Sequence, residues 1–313
     1  MKYIVQIILA AWLFFAANTI SQAQHLPVRS NYLLTSFMDN PAAAGNKDCL
    51  DLRLGHRNQW VGFPGAPSNS FLSLSGRLGD TPRSVQGIGL KIETDDAGPW
   101  GTTYASIAYS HKIKLTNQGW LSGGFSLGVS QFRLNPNGLD VTIGDPAFLG
   151  DQTSQFLFPI VDAGFWYQDK RNFGGISLLN ATNGSLNSIT NTNESKTTRI
   201  FVITGGALLE LDGKFMFRPS VNIRYASGLP ASFEMNGAVV YDKSIAIGVG
   251  YRVQSALIGS VQFALFDYMT LGYSYDFGIS KIGTFSRSSH EVTLTFSACD
   301  MKATSVNSCP AYD

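Results

Sequence analysis

Thr270-Leu271-Gly272-Tyr273-Ser274-Tyr275-Asp276-Phe277-Gly278 alternates apolar with small or polar residues at every step. Successive strand side chains point to opposite faces, so Leu271, Tyr273, Tyr275 and Phe277 share one face. Thr270, Gly272, Ser274, Asp276 and Gly278 share the other. The following segment repeats the pattern, with Val292, Leu294 and Phe296 set against Glu291, Thr293, Thr295 and Ser297. Upstream, Phe215, Phe217, Val221, Ile223 and Tyr225 oppose Met216, Arg218, Ser220, Asn222 and Arg224, and Ile245, Ile247, Val249 and Tyr251 oppose Gly248, Gly250 and Arg252. One greasy and one polar face recur from about Leu50 to Ala298.

No stretch of the mature region holds a helical apolar stripe over three turns, so the 313-residue chain is all-β. Charged residues make up only 14%, aromatics 12%, and glycine occurs 32 times, while mean hydropathy is +0.03. Too few charges are present to coat a soluble sandwich or adhesin of this size. An apolar outer face with a small, polar lumen fits instead, as in a transmembrane antiparallel up-and-down β-barrel. The net charge of +1, with no basic stripe, excludes a nucleic-acid partner.

Lys2, the apolar run Ile4 to Ala17 and Ser21-Gln22-Ala23 form the three parts of a signal peptide over residues 1–23, cleaved before Gln24. No cysteine follows the cleavage region, so lipoprotein anchoring is not expected. No second apolar run is long enough to span as a helix, which leaves a closed barrel as the way to sit in a membrane.

The alternation divides residues 50–298 into 14 candidate strands: 50–63, 69–79, 86–95, 102–115, 119–134, 158–169, 172–182, 197–211, 215–226, 231–242, 244–253, 256–265, 269–280 and 288–298. Asn117-Gln118, Lys170-Arg171, Asp212-Gly213, Lys243 and Asp267-Tyr268 read as tight hairpin turns on the periplasmic side. Longer pieces, notably Asn135 to Leu157 and Thr182 to Lys196, read as outer loops. The even count places both chain ends in the periplasm. Residues 24–49 form an N-terminal periplasmic or plug segment, and residues 299–313 a periplasmic tail.

Parity places Asp51, Arg53, Gly55 and Arg57 opposite Leu50, Leu52 and Leu54. The same parity turns Lys91, Glu93, Arg218, Arg224, Glu234, Arg252 and Glu291 inward. A Lys or Arg on the lipid face at mid-membrane costs roughly 2–4 kcal/mol. Both signs are present, so ion pairing inside the lumen is expected, with selective transport or partner binding as the other readings. No GxSxG, HExxH, phosphate loop or CxxC occurs, and His290 and Glu291 are adjacent and therefore point apart. No catalytic set, metal site or cofactor is expected. Cys49, Cys299 and Cys309 fall on the oxidising periplasmic side. A Cys299–Cys309 tail loop is favoured by Pro310 and its small neighbours, while Cys49–Cys299 is the alternative, stapling the first strand to the last.

Four stretches carry a family resemblance. They are Asn31-Tyr32 through Phe37 with Asn40-Pro41-Ala42-Ala43-Ala44-Gly45; Arg57-Asn58-Gln59-Trp60-Val61-Gly62-Phe63-Pro64-Gly65-Ala66-Pro67; Gly87-Ile88-Gly89-Leu90 with Asp95 or Asp96 and Gly98; and Gly248-Val249-Gly250-Tyr251-Arg252, Gly272-Tyr273-Ser274-Tyr275-Asp276 and Ser289-His290-Glu291-Val292. In this order, over residues 31 to 298, the chain resembles the PorP/SprF outer-membrane proteins associated with type IX secretion in Bacteroidetes-type bacteria. The resemblance implies a non-catalytic barrel in outer-membrane lipid. It would assist export or surface attachment of a secreted partner such as a large adhesin, in motility, adhesion or general secretion, together with the secretion components. A porin or hydrophobic-solute channel is the other class of function. Partner or plug contacts are expected at Asn40, Pro41, Arg57, Gln59, Trp60, Pro64, Gly65 and Pro67. Pro64, Gly65 and Pro67 stiffen the first loop, Gly65 supplying a positive φ. Trp60 is either an interfacial belt residue or, with Arg57 and Gln59, a lumen residue.

Overall fold

The computed structural model describes residues 28–116, 118–134, 154–182, 198–266, 268–280, 286 and 288–298. The expected signal peptide, the tail with Cys299 and Cys309, the turn residues Asn117 and Asp267 and most of the two long loops lie outside these residues.

The alternating segments form β1 (Leu50–Asn58), β2 (Ser68–Asp80), β3 (Ser84–Ala97), β4 (Trp100–Lys114), β5 (Trp120–Leu134), β6 (Ser154–Gln168), β7 (Asn172–Leu179), β8 (Ile200–Ala207), β9 (Leu209–Asp212), β10 (Phe215–Ala226), β11 (Ser232–Tyr241), β12 (Ile245–Arg252), β13 (Ala256–Phe266), β14 (Met269–Gly278) and β15 (Ser288–Ala298). Sequence neighbours pair antiparallel throughout. The ring closes where β15 pairs with β1, from Leu50 opposite Ala298 to Asn58 opposite His290. β8 and β9 both pair with β10 and make one broken strand, so the barrel has 14 staves. The sequence reads this stave as continuous; Leu208 still continues the ladder to β7 by donating to the Arg171 carbonyl at 2.7 Å, and the pairing with β10 lapses at Ala207 and Leu208, beside Pro219, which has no amide proton to donate. Among the described residues no helix is long and apolar enough to cross a membrane, and crossing is by strands.

Burial is inverted relative to a water-soluble protein. Ile247 and Val249 are 63% and 72% exposed, whereas Lys91 and Glu291 are 0% exposed. The alternation therefore sorts apolar side chains to lipid and polar ones to the lumen. Exposed ring pairs, Phe215–Tyr241 and Phe266–Tyr268 toward one rim and Trp100–Phe132 toward the other, sit at the levels where amphipathic rings meet the membrane interface.

One rim carries tight turns. At Asp242 and Lys243 φ is 47° and 54°, the double positive-φ pattern that suits a two-residue hairpin, and the Ser244 amide closes on the Tyr241 carbonyl. In the turn between β6 and β7 the Asp169 carboxylate accepts the amides of Arg171 and Asn172, each at 2.7 Å. Slight burial pushes its carboxyl upward, but these donors hold it below the usual carboxylate range. Leu50 and Ala298 end at this turn rim. Among the described residues, the opposite, loop rim holds the connections 59–67, 98–99, 227–231 and 253–255. β1 ends at Asn58 rather than residue 63: the Gln59 amide makes the last rung to the Pro67 carbonyl, and beyond it Trp60, Gly62 and Gly65 take positive φ and turn the chain.

The segment before β1 does not stay at the turn rim. Residues 29–46 are buried within the barrel and include a single turn of helix, α1 (Ser36–Asp39), and a 3₁₀ turn at Pro41–Ala43.

Candidate functional site

The interior segment, here termed the strap, makes a single pass from rim to rim. At the loop rim Val28 is half-buried, and Ser30 meets Arg57, Arg252 and Asp276, all at or near the loop-rim ends of their strands. At the turn rim the Lys47 ammonium reaches the Ser297 hydroxyl at 2.7 Å, and Leu50 begins the first stave. The ends Leu50 and Ala298 share a rim, as an even stave count demands, but the chain reaches Leu50 from the other side of the barrel.

Four arginines and five carboxylates concentrate at the loop-rim end. Arg29 pairs with Asp39 and, at 2.6 Å, with Glu93; Arg224 closes on Asp39 at 3.1 Å. Arg252 bridges Glu234 at 2.6 Å and Asp276 at 2.9 Å, and Arg57 bridges Asp276 at 2.8 Å and Glu291 at 3.4 Å. The Ser30 hydroxyl donates to Asp276 and accepts from Arg252 at 2.8 Å and Arg57 at 3.2 Å. Taking these charges out of water is costly, and it is offset because each has at least one opposite charge within 3.4 Å. The strap contributes Arg29, Ser30 and Asp39, and the other charged groups come from seven different strands.

Midway, the strap packs by shape. Tyr32, Leu33, Phe37, Ala42, Ala43 and Ala44 form one buried cluster with Ala108, Trp166 and Phe173 of the wall. The Tyr32 hydroxyl lies 2.8 Å from that of Ser220. Asn40 joins the two turns of the strap: its side-chain oxygen accepts from the Ala42 amide at 3.0 Å, and its Nδ2 donates to the carbonyls of Phe165 and Ile176 at 2.9 and 3.2 Å. Pro41 occupies the first position of the 3₁₀ turn, where a missing amide proton costs nothing.

The sequence-derived residues separate into three groups. Asn40, Pro41, Arg57, Arg224, Glu93, Glu234, Arg252 and Glu291 belong to the strap or touch it directly or through one shared partner. Arg53 and Lys91 reach the strap as well, Arg53 pairing with Asp51 at 2.6 Å and donating to the Leu34 carbonyl, and Lys91 pairing with Asp162 at 3.0 Å with its ammonium 5.8 Å from the centre of the Phe37 ring, whereas Arg218 faces the lumen elsewhere and donates to Gln262 at 2.8 Å. Gln59, Trp60, Pro64 and Gly65 lie in the loop-rim turn. There the Trp60 amide donates to Ser289 and the Gly98 amide closes on the Gly65 carbonyl, while Pro67 is buried where β2 begins. Of Arg57, Gln59 and Trp60, only Arg57 reaches the strap.

Arg29, Ser30, Asp39, Asp162 and Asp276 were missed as site residues. Parity already put Asp276 on the polar face and could have flagged it. Asp162 shares its face with Phe158, Ile160 and Trp166, which hid it. Arg29 and Asp39 precede any strand and carry no periodic signal.

Cys49 is disulfide-bonded. With three cysteines in the chain, its partner within the chain is one of the other two, so the expected Cys299–Cys309 loop is not the bond formed. The physical reason is register: Leu50 pairs with Ala298, which sets Cys49 at the end of the closing seam. Cys299 and Cys309 themselves lie outside the described residues.

Among solved structures the chain is similar to the TodX deltaS2S3 mutant, a monoaromatic hydrocarbon channel, at TM-score 0.50 and 10% identity over 84% of this chain and 93% of that one. It is also similar to a Pseudomonas aeruginosa FadL homologue, at TM-score 0.45 and 10% identity, again over 84% and 93%. At such identities the likeness is one of fold. No curated relative matches the sequence. The family model of the type IX secretion system membrane protein PorP/SprF matches residues 21–296, nearly the whole chain. With that match and a closed barrel whose apolar side chains face outward, the chain belongs to the PorP/SprF family of type IX secretion system membrane proteins and resides in the outer membrane.

Proposed function

We propose that this barrel is a non-enzymatic accessory of type IX secretion that helps export a secreted surface protein, such as a large adhesin, or hold it at the outer membrane. The observation that carries the reading is the filled lumen: residues 29–46 run from rim to rim and are tied to strands all around the ring. A barrel occupied in this way serves better as a docking body than as a bore. Bacterial barrels keep their short turns in the periplasm, so the turn rim faces the secretion machinery and the loop rim faces the cell surface. Affinity purification of the tagged protein from gently solubilised outer membranes tests this. Recovery of secretion-machine subunits or one large surface protein supports it, and recovery of the barrel alone counts against it.

A second reading, a porin or hydrophobic-solute channel, is favoured by the spaces left beside the strap. Small cavities of about 50 and 30 Å³, with room for a few water molecules, lie against the β10–β14 wall, and the hydrogen-bonded Arg218–Gln262 pair lines both. Conductance in planar bilayers tests it: a steady open channel in the unmodified protein favours the channel, a closed baseline the accessory.

A further inference from the structure

Besides the side-chain contacts, a set of bonds from five strands seats the strap by its main chain. The Ser110, Ser122 and Ser177 hydroxyls donate to the carbonyls of Ala44, Ala42 and Asp39 at 2.7, 2.7 and 2.5 Å. Arg53 donates to the Leu34 carbonyl, and Glu291 accepts the amides of Ser30 and Asn31 at 2.7 and 3.1 Å. These wall groups come from β4, β5, β7, β1 and β15, and what they satisfy is present in any polypeptide. The wall is also bare where the backbone passes closest. A Cβ on Gly87 would lie 2.3 Å from the Ala44 carbonyl oxygen, and one on Gly124 would lie 2.6 Å from the Ala42 Cα. The strap side chains there are small, Ala42, Ala43 and Ala44, whereas nearer the loop rim the wall meets charge with charge, Glu93 facing Arg29 and Arg224 facing Asp39.

We infer that the lumen is a polypeptide-binding channel and that the strap is its resident occupant, holding a place that a segment of the exported partner takes in exchange. The ligand class follows from the wall: one pass of peptide with a basic residue for Glu93 and an acidic residue for Arg224 in its loop-rim half, and a run of small residues toward the turn rim. This inference rests on the accessory reading and names the docking site within it. A covalently attached occupant that uses side-chain contacts at one end and main-chain contacts along its length competes with a free segment only when the partner binds the emptied wall more tightly, so exchange is gated by differential affinity.

The test uses the full-length, folded protein with a protease recognition site placed between Lys47 and Asp48, where Asp48 is exposed. After cleavage the strap is held only by the contacts above. Mild denaturant is applied below the level at which the barrel loses its heat-modifiable folded band, and a fluorescent synthetic peptide of residues 28–46 is added. The inference expects strap release and rebinding of the peptide, with affinity lowered about tenfold in the Glu291→Gln barrel, as for loss of one charge-assisted hydrogen bond. Two results overturn it: a strap that never leaves while the barrel remains folded, and an emptied barrel that takes no peptide. Failure here is distinct from failure of the accessory reading. Secretion subunits recovered with a barrel whose lumen takes no peptide refute the channel alone, whereas peptide binding by a barrel that recovers none refutes the accessory role alone.

Discussion

The main-chain amide of Ser30 donates to a carboxylate oxygen of Glu291 at 2.7 Å, across 261 positions of sequence, and the next amide, that of Asn31, donates to the other oxygen at 3.1 Å. Arg57 approaches the same carboxylate from β1 at 3.4 Å. One fully buried side chain thus joins the strap, the first strand and the last strand beside the closing seam.

Replacing Glu291 separates its charge from its role as acceptor. Glu291→Ala leaves two strap amides bare and shifts Arg57 onto Asp276 alone, and is expected to cost about 3–5 kcal/mol, as when one partner of a buried pair is removed. Glu291→Gln keeps an acceptor and is expected to cost about 1–3 kcal/mol. Urea unfolding of the barrel in lipid vesicles measures both. Equal losses would mean that the carboxylate does not organise the strap.

Gly124→Ala is expected to unseat the strap while the staves stay paired. The added methyl meets the backbone of Pro41 and Ala42, which have no flexible end to swing aside. The heat-modifiable band should persist, while residues near Lys47 become open to added protease and the baseline conductance rises. Gly259→Ala is the control, since nothing lies within 4 Å of a Cβ there. Matching behaviour of the two variants would show that the wall tolerates a side chain beneath the strap.

The Lys91–Asp162 pair is wholly inside the lumen, with Tyr104, Ser126 and the Asn180 amide also donating to Asp162. Lys91→Met should destabilise the barrel by about 3–5 kcal/mol, because an uncompensated carboxylate remains; adding Asp162→Leu should recover much of that loss, as paired replacement of buried ions often does. A double-mutant cycle in urea measures the coupling. Additive losses would place the pair in water rather than in the packed lumen.

Register predicts the disulfide. Cys49 immediately precedes Leu50, whose partner Ala298 immediately precedes Cys299 in the sequence, and non-reducing peptide mapping should recover a Cys49–Cys299 pair. Cys49→Ser should then lower stability by about 2–4 kcal/mol under oxidising conditions and by nothing under reducing ones. A mapped Cys49–Cys309 peptide would refute the register argument.

The barrel was legible because its information is local. Alternation at period two, tight turns and glycine-rich polar faces are each written in fewer than a dozen consecutive residues, and a membrane demands that they close on themselves. Strand ends were less legible. β1 stops after its last rung, Gln59 to Pro67, because Trp60 turns to positive φ, and the eighth stave breaks where its pairing lapses beside Pro219 of the neighbouring strand; apolar periodicity reports neither.

By itself, then, the sequence determined which face of each strand meets lipid, how many staves there are, and that Lys91, Arg224, Arg252 and Glu291 turn inward, since parity alone settles these. Only the tertiary structure decided which of those charges meet. Glu93 finds Arg29, Arg224 finds Asp39 and Arg57 finds Asp276 through ring closure and the path of the strap, and no short window of sequence encodes either. The strap itself has no period to read. Its 18 residues are held by the wall that surrounds them, so their course exists only once the barrel has closed around them.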